Sequence, residues 1–223
     1  MKILAVEFSS EQRSVAIVEK RSETISLVMG FAVEVGGRNA HGIGLIEDVL
    51  RQAQIEREQI GCVAVGLGPG SYTGIRSAIA LAQGWQLGRE VKLLGIKSVE
   101  CLASQVFAMG IRGHANFIVD AQRNEFYLGR YWFNENGFDE AKPLHLANAT
   151  EVQSKIAERE WVFGPEASRN FSGATDLMPD AKALGQVACG KTNFLSGENL
   201  EPIYLREISF IKAPPLRVIL DNY

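Results

Sequence analysis

Cys62-Val-Ala-Val-Gly-Leu-Gly-Pro-Gly-Ser-Tyr-Thr-Gly-Ile-Arg-Ser-Ala-Ile-Ala-Leu-Ala-Gln-Gly84 joins a short apolar run to a glycine turn, and the turn to small and apolar residues at helical spacing. The run from Cys62 to Leu67 reads as a strand buried on both faces, and residues 74–88 as a helix. Strand, tight turn and helix together are the unit of an α/β sheet. Upstream, Ile43, Ile46, Leu50 and Ala53 recur at helical spacing and predict a helix over 40–55. Before it, residues 2–9, 14–20 and 25–35 read as three strands, the first two joined by the polar turn Ser10-Glu11-Gln12-Arg13. Downstream, 91–97 and 98–109 supply another strand and helix.

The second half repeats that order. Strands are expected at 115–120, 125–133 and about 142–147, and a helix at about 150–159 with Thr150 as its N-cap. A short strand at 161–163 and a helix ending near Cys189 complete it. Element order β-β-β-α-β-α, met twice, predicts an α/β protein of two lobes, 1–110 and 111–223, each a mixed sheet flanked by helices. Pro202, Pro214 and Pro215 mark an irregular C-terminal tail.

Hydrophobic residues at 46% against 22% charged leave enough apolar material for a core and argue against disorder. A net charge of -3 with scattered Lys and Arg argues against a large phosphate-binding footprint, so direct tight binding to nucleic acid is not expected. The chain has neither the apolar core of a signal peptide nor a run of about 18 apolar residues, which points to a soluble, cytoplasmic protein without a membrane partner. Cys62, Cys101 and Cys189 are dispersed in apolar surroundings and are expected to be buried thiols.

Three features could carry chemistry. The turn holding Gly68, Gly70, Ser71 and Thr73 precedes a helix, so it suits an anion through exposed amides, or simply tight packing. The P-loop lysine is missing, since Ile75 and Arg76 follow Gly74, and a dinucleotide fingerprint would need glycine where Thr73 stands. Glu7 and Asp120 end the first strand of each half, where they either face each other across a cleft to hold a nucleotide's magnesium or cap their own turns. The helix at 74–88 is apolar around much of its girth: Gly74, Ala78, Ala82 and Trp85 line one face, Ile75 and Ile79 the next, and Ser77, Ala80 and Gly84 thin the rest. With Ile43, Ile46 and Leu50 of the preceding helix it suggests a surface for a protein partner, or two faces buried in one lobe. His41, His114 and His145 show no metal-binding spacing, and a nucleophile elbow fails because Pro69 stands two residues before Ser71.

Taken together, Gly68-Pro-Gly-Ser-Tyr-Thr-Gly-Ile-Arg76 with Ala80-Leu-Ala-Gln-Gly84, Val119-Asp-Ala-Gln-Arg-Asn-Glu-Phe-Tyr127 and Glu201-Pro-Ile-Tyr-Leu-Arg206 resemble the TsaB (YeaZ) family. The resemblance implies two RNase H-like lobes of the actin/heat-shock ATPase (ASKHA) type. It implies a noncatalytic scaffold in making threonylcarbamoyladenosine (t6A) on tRNA, docked on the glycoprotease-like transferase TsaD beside the ATPase TsaE and reaching tRNA only through that complex. Homodimers are expected when the partner is absent, with ATP or ADP and magnesium at the cleft or the complex interface. The alternatives from other classes are a glycoprotease-like hydrolase and an independent nucleotide-binding ATPase. The sequence departs from the family pattern at Glu7-Phe8-Ser9, where Asp-Thr-Ser is usual, and at Arg38, where histidine is frequent.

Overall fold

The computed structural model describes residues 1–22, 25–36 and 42–205. Arg38, His41, Arg206, Pro214 and Pro215, and the first two residues of the helix expected at 40–55, lie outside them.

Strands β1 (Lys2–Glu7), β2 (Gln12–Lys20) and β3 (Ser26–Val35) form an antiparallel meander, followed by α1 (Gly42–Ala53), β4 (Ile60–Gly66), α2 (Tyr72–Gly88), β5 (Lys92–Ile96) and α3 (Ser98–Ala108). The sheet order is β3-β2-β1-β4-β5, with β4 parallel to both β1 and β5. Nearly every residue of β1 and β4 is buried, as unbroken apolar runs require when helices cover both faces.

The second half builds β6 (Gly113–Asp120), β7 (Glu125–Phe133), β8 (Phe138–Asn148), α4 (Ala149–Ala157), β9 (Trp161–Gly164), α5 (Ala167–Asn170), β10 (Thr175–Asp176) and α6 (Ala181–Cys189). Its sheet order, β10-β9-β6-β7-β8, is the first sheet's order with each strand replaced by its counterpart. Two five-stranded mixed sheets therefore come from one element order used twice. One helix start differs from the sequence reading: Asn148, not Thr150, caps α4, because its extended backbone lets its side chain accept the Glu151 N–H at 2.9 Å.

The helices are exchanged between the sheets. Helices α1 and α2 cover one face of the first sheet, packing on Leu4, Val6, Ile17, Val63 and Val65. The opposite face is closed by α6, whose Ala181, Leu184 and Ala188 pack on Ile3, Ala5, Ala16 and Val18. In return, Val99, Leu102 and Val106 of α3 pack on Phe117, Tyr131 and Phe133 of the second sheet. Beyond α6 the chain stays on the first lobe. Leu195 N–H donates to Leu93 C=O at 2.9 Å, Leu200 is buried in the α1–α2 core, and Ile203 N–H donates to Leu67 C=O at 2.9 Å. Within the lobe expected at 111–223, α6 thus packs on one face of the first sheet, with Cys101 of α3 beside it, and Leu195 and Leu200 pack on the other.

Candidate functional site

The glycine turn packs against the end of β1. Ser71 N–H donates to Ser9 C=O at 2.7 Å, and a Cβ on Gly70 would lie 2.0 Å from that same oxygen. A Cβ on Gly74 would lie 2.0 Å from Phe8 C=O, and Gly70 adopts φ +149°, so neither position accommodates a side chain without a shift. Ser71 caps α2, its Oγ accepting the Gly74 N–H at 3.2 Å, while Gly68 N–H donates to Ser98 Oγ at 3.2 Å. The amides of Gly68, Ser71 and Gly74 are therefore spent inside the chain. Of the two uses open to this turn, close packing is the one the geometry serves. Thr73 is exposed, and its carbonyl accepts the Ser77 hydroxyl at 2.8 Å.

Glu7 is fully buried. Its Oε1 accepts the Ser9 N–H at 2.8 Å and its Oε2 the Ser98 hydroxyl at 2.8 Å. Burial raises its pKa above the usual carboxylate value, opposed by the Ser9 and Ser98 hydrogen bonds. The Cys101 thiol, 3.9 Å from Glu7 Oε2, is pushed well up by the same burial and by that carboxyl, and burial raises Cys62 to about 12. All three cysteines are buried and free. Asp120 is exposed at the mouth of a cavity of about 430 Å³ between the lobes, and its Oδ1 accepts the Gln122 N–H at 2.7 Å. The two carboxylates do not face each other: each caps the residue two positions on, and Glu7 has no path into the cleft. A magnesium-bound nucleotide does not fit these residues. Around the cavity the described lining includes the carboxylates Glu11, Asp120 and Glu166 and no Lys, Arg or His, which is the wrong sign for phosphates.

The residues expected at a docking face divide sharply. Ile46, Leu50, Ile75, Ala78, Ile79 and Ala82 are buried in the core beneath α1 and α2, and Trp85 packs partly buried at its edge. They are corrected from surface to core: a five-stranded sheet with apolar residues on this face consumes the helices' apolar stripes. Ile43 alone of the set is strongly exposed, at 69%. It lines a groove with Phe8, Gly42, Ser77 and Leu81. Beside that groove, the outward face of α2 carries Thr73, Ser77, Ala80, Gly84 and Leu87, all exposed, with Leu87 at 90%. Leu87 was missed because an exposed leucine is indistinguishable in sequence from a core one.

Comparison with known proteins sets this geometry in a family. The TsaB proteins of Escherichia coli and Bacillus subtilis, both named tRNA threonylcarbamoyladenosine biosynthesis proteins, are 26% and 23% identical, covering 96% and 84% of this chain and 99% and 81% of their own lengths. The family model "TsaD: tRNA N6-adenosine threonylcarbamoyltransferase" matches residues 40–176. The chain belongs to the TsaB (YeaZ) branch of this family. A crystal structure of YeaZ from Pseudomonas aeruginosa shares the fold, with a TM-score of 0.73 at 21% identity, covering 92% of this chain and 99% of that one. A second Pseudomonas aeruginosa structure, described as similar to the peptidase YeaZ, reaches 0.76 at 23% identity over the same shares.

Proposed function

We propose that this chain is the noncatalytic activating subunit of a cytoplasmic t6A-forming complex and that it docks on a TsaD-type transferase through the outward face of α2. The names of its relatives supply the pathway. The observation that carries the mode of action is the α2 surface: Thr73, Ser77, Ala80 and Gly84 are small enough for another helix to approach closely, and exposed Ile43 and Leu87 flank them. Burying a side chain such as Leu87 on docking contributes about 1.5–3 kcal/mol. In the partner's absence the same face pairs two copies of the chain, and a TsaE-type ATPase and tRNA join through the complex.

Two substitutions separate docking from folding. Gly84→Arg and Ala80→Arg place a bulky charge on exposed helix positions, and at Gly84 an added Cβ meets nothing within 4 Å. Both variants are expected to melt like the parent chain yet lose co-elution with the TsaD-type protein of the same source. Undiminished association would remove this face from the account. The hydrolase alternative gains no support from the geometry, since Glu7 and the Cys101 thiol are sealed from solvent.

A further inference from the structure

We propose that the open edge of β3 is a pairing surface for a second copy of this chain and that Gln52 of α1 keeps it shut. Strand β3 is the outer strand of the first sheet, with β2 along one side. Helix α1 presses closely on it: a Cβ on Gly30 would lie 2.6 Å from Val49 C=O and 3.3 Å from Gln52 Cβ. That approach brings Gln52 within reach of the strand's open side, where its Oε1 accepts the Phe31 N–H at 2.9 Å. A glutamine side chain thus occupies a backbone donor of the kind that a further strand would use.

The occupant follows from the alternation along the strand. In an antiparallel ladder every second residue turns its amide and carbonyl away from the neighbouring strand, so Val33 and Val35 share the outward direction of Phe31. Their side chains also share a face, the one where Phe31 packs toward α6, and Val33 and Val35 are 45% and 72% exposed. A second β3, set antiparallel about a twofold at Val33, matches this edge residue for residue. Val33 then faces its own copy, Phe31 faces Val35 of the second copy, and each outward amide meets an outward carbonyl. Glu34, the single charge from Phe31 to Val35, falls opposite Ala32 and not opposite a like charge. Toward Ser26 the match ends, because the register with β2 slips between Ile17 and Val18 and leaves Met29 without an opposite residue. A standing dimer buries roughly 1,200–2,000 Å² in total, far more than residues 31–35 of two chains supply. The Phe31 amide of each copy therefore decides whether so short a contact forms.

Oxidative cross-linking of the full-length chain reads this directly, because its three native cysteines are buried. Val33→Cys places a thiol opposite its own copy in the twofold pair, and Gly84→Arg, present in every chain compared, removes pairing through α2. Disulfide-linked dimer is expected to form at least about tenfold faster when Gln52→Ala is added, since that change frees one amide on each copy. Equal rates with and without Gln52→Ala, or no dimer from either chain, overturn the proposal, and loss of docking through α2 moves neither result. A second measurement needs no added cysteine. In sedimentation equilibrium the Gln52→Ala/Gly84→Arg chain is expected to show a concentration-dependent dimer that a further Val33→Lys abolishes, with both chains melting like the Gly84→Arg protein. A monomer at every concentration, or association that survives Val33→Lys, contradicts the assignment.

Discussion

Glu7 shows how one residue's surroundings govern stability. Its carboxyl is sealed beneath the β1 turn with Ser9 and Ser98 as donors, and burial holds its folded pKa above the ordinary 4.5. Between that ordinary value and the raised one, the folded state binds the proton that the unfolded chain has released. Its contribution is therefore full at low pH and is lost as pH rises through the folded value. Glu7→Gln keeps the shape without the charge. Thermal melts from about pH 4 to about pH 8 are expected to show the variant gaining on the parent as pH rises; parallel curves would mean Glu7 ionises freely in the fold. Two glycines of α2 give a second residue-scale pair. Gly74→Ala drives a methyl into Phe8 C=O and is expected to cost about 3 kcal/mol in urea unfolding, whereas Gly84→Ala, facing open space, is expected to gain about 1 kcal/mol. Equal effects at the two sites would show that helix propensity, not the approach to β1, sets the requirement for glycine.

At the scale of elements, α2 joins the core to the proposed interface. Its inward stripe of Ile75, Ala78, Ile79 and Ala82 is buried in the first lobe, so Ile79→Glu is expected to unfold the protein, with loss of its cooperative melt. A folded Ile79→Glu chain that merely fails to dock would return this stripe to the interface. Much of this element was legible beforehand. The apolar run before the glycine turn marks β4, and Ile43, Ile46, Leu50 and Ala53 mark α1 by spacing alone. Sidedness was not legible, because a helix apolar or small around most of its girth has no pattern that says which face meets the sheet. Glu7 was ambiguous for a related reason: an acid at a strand end reads the same whether its side chain turns into the core or toward a cleft. Periodicity reports that a helix has an apolar face and is silent about which sheet receives it, so the exchange of α3 and α6 lay beyond sequence reasoning.

For the whole molecule, that exchange makes the lobes interdependent. Helix α6 from the second half closes the first sheet, and α3 from the first half closes the second. Urea unfolding followed by circular dichroism and by tryptophan fluorescence is expected to give one coincident transition, and two separated midpoints would show lobes that stand alone. Such a coupled pair of lobes suits a subunit that presents one surface to a partner. The central claim is that this surface activates a TsaD-type enzyme. Its most direct test is tRNA threonylcarbamoylation in a reconstituted mixture of the threonylcarbamoyl-adenylate synthase and the TsaD- and TsaE-type proteins of the same source, with and without this chain. The account predicts t6A formation that requires the parent chain and is not restored by the Gly84→Arg variant; equal modification with the chain omitted would contradict it.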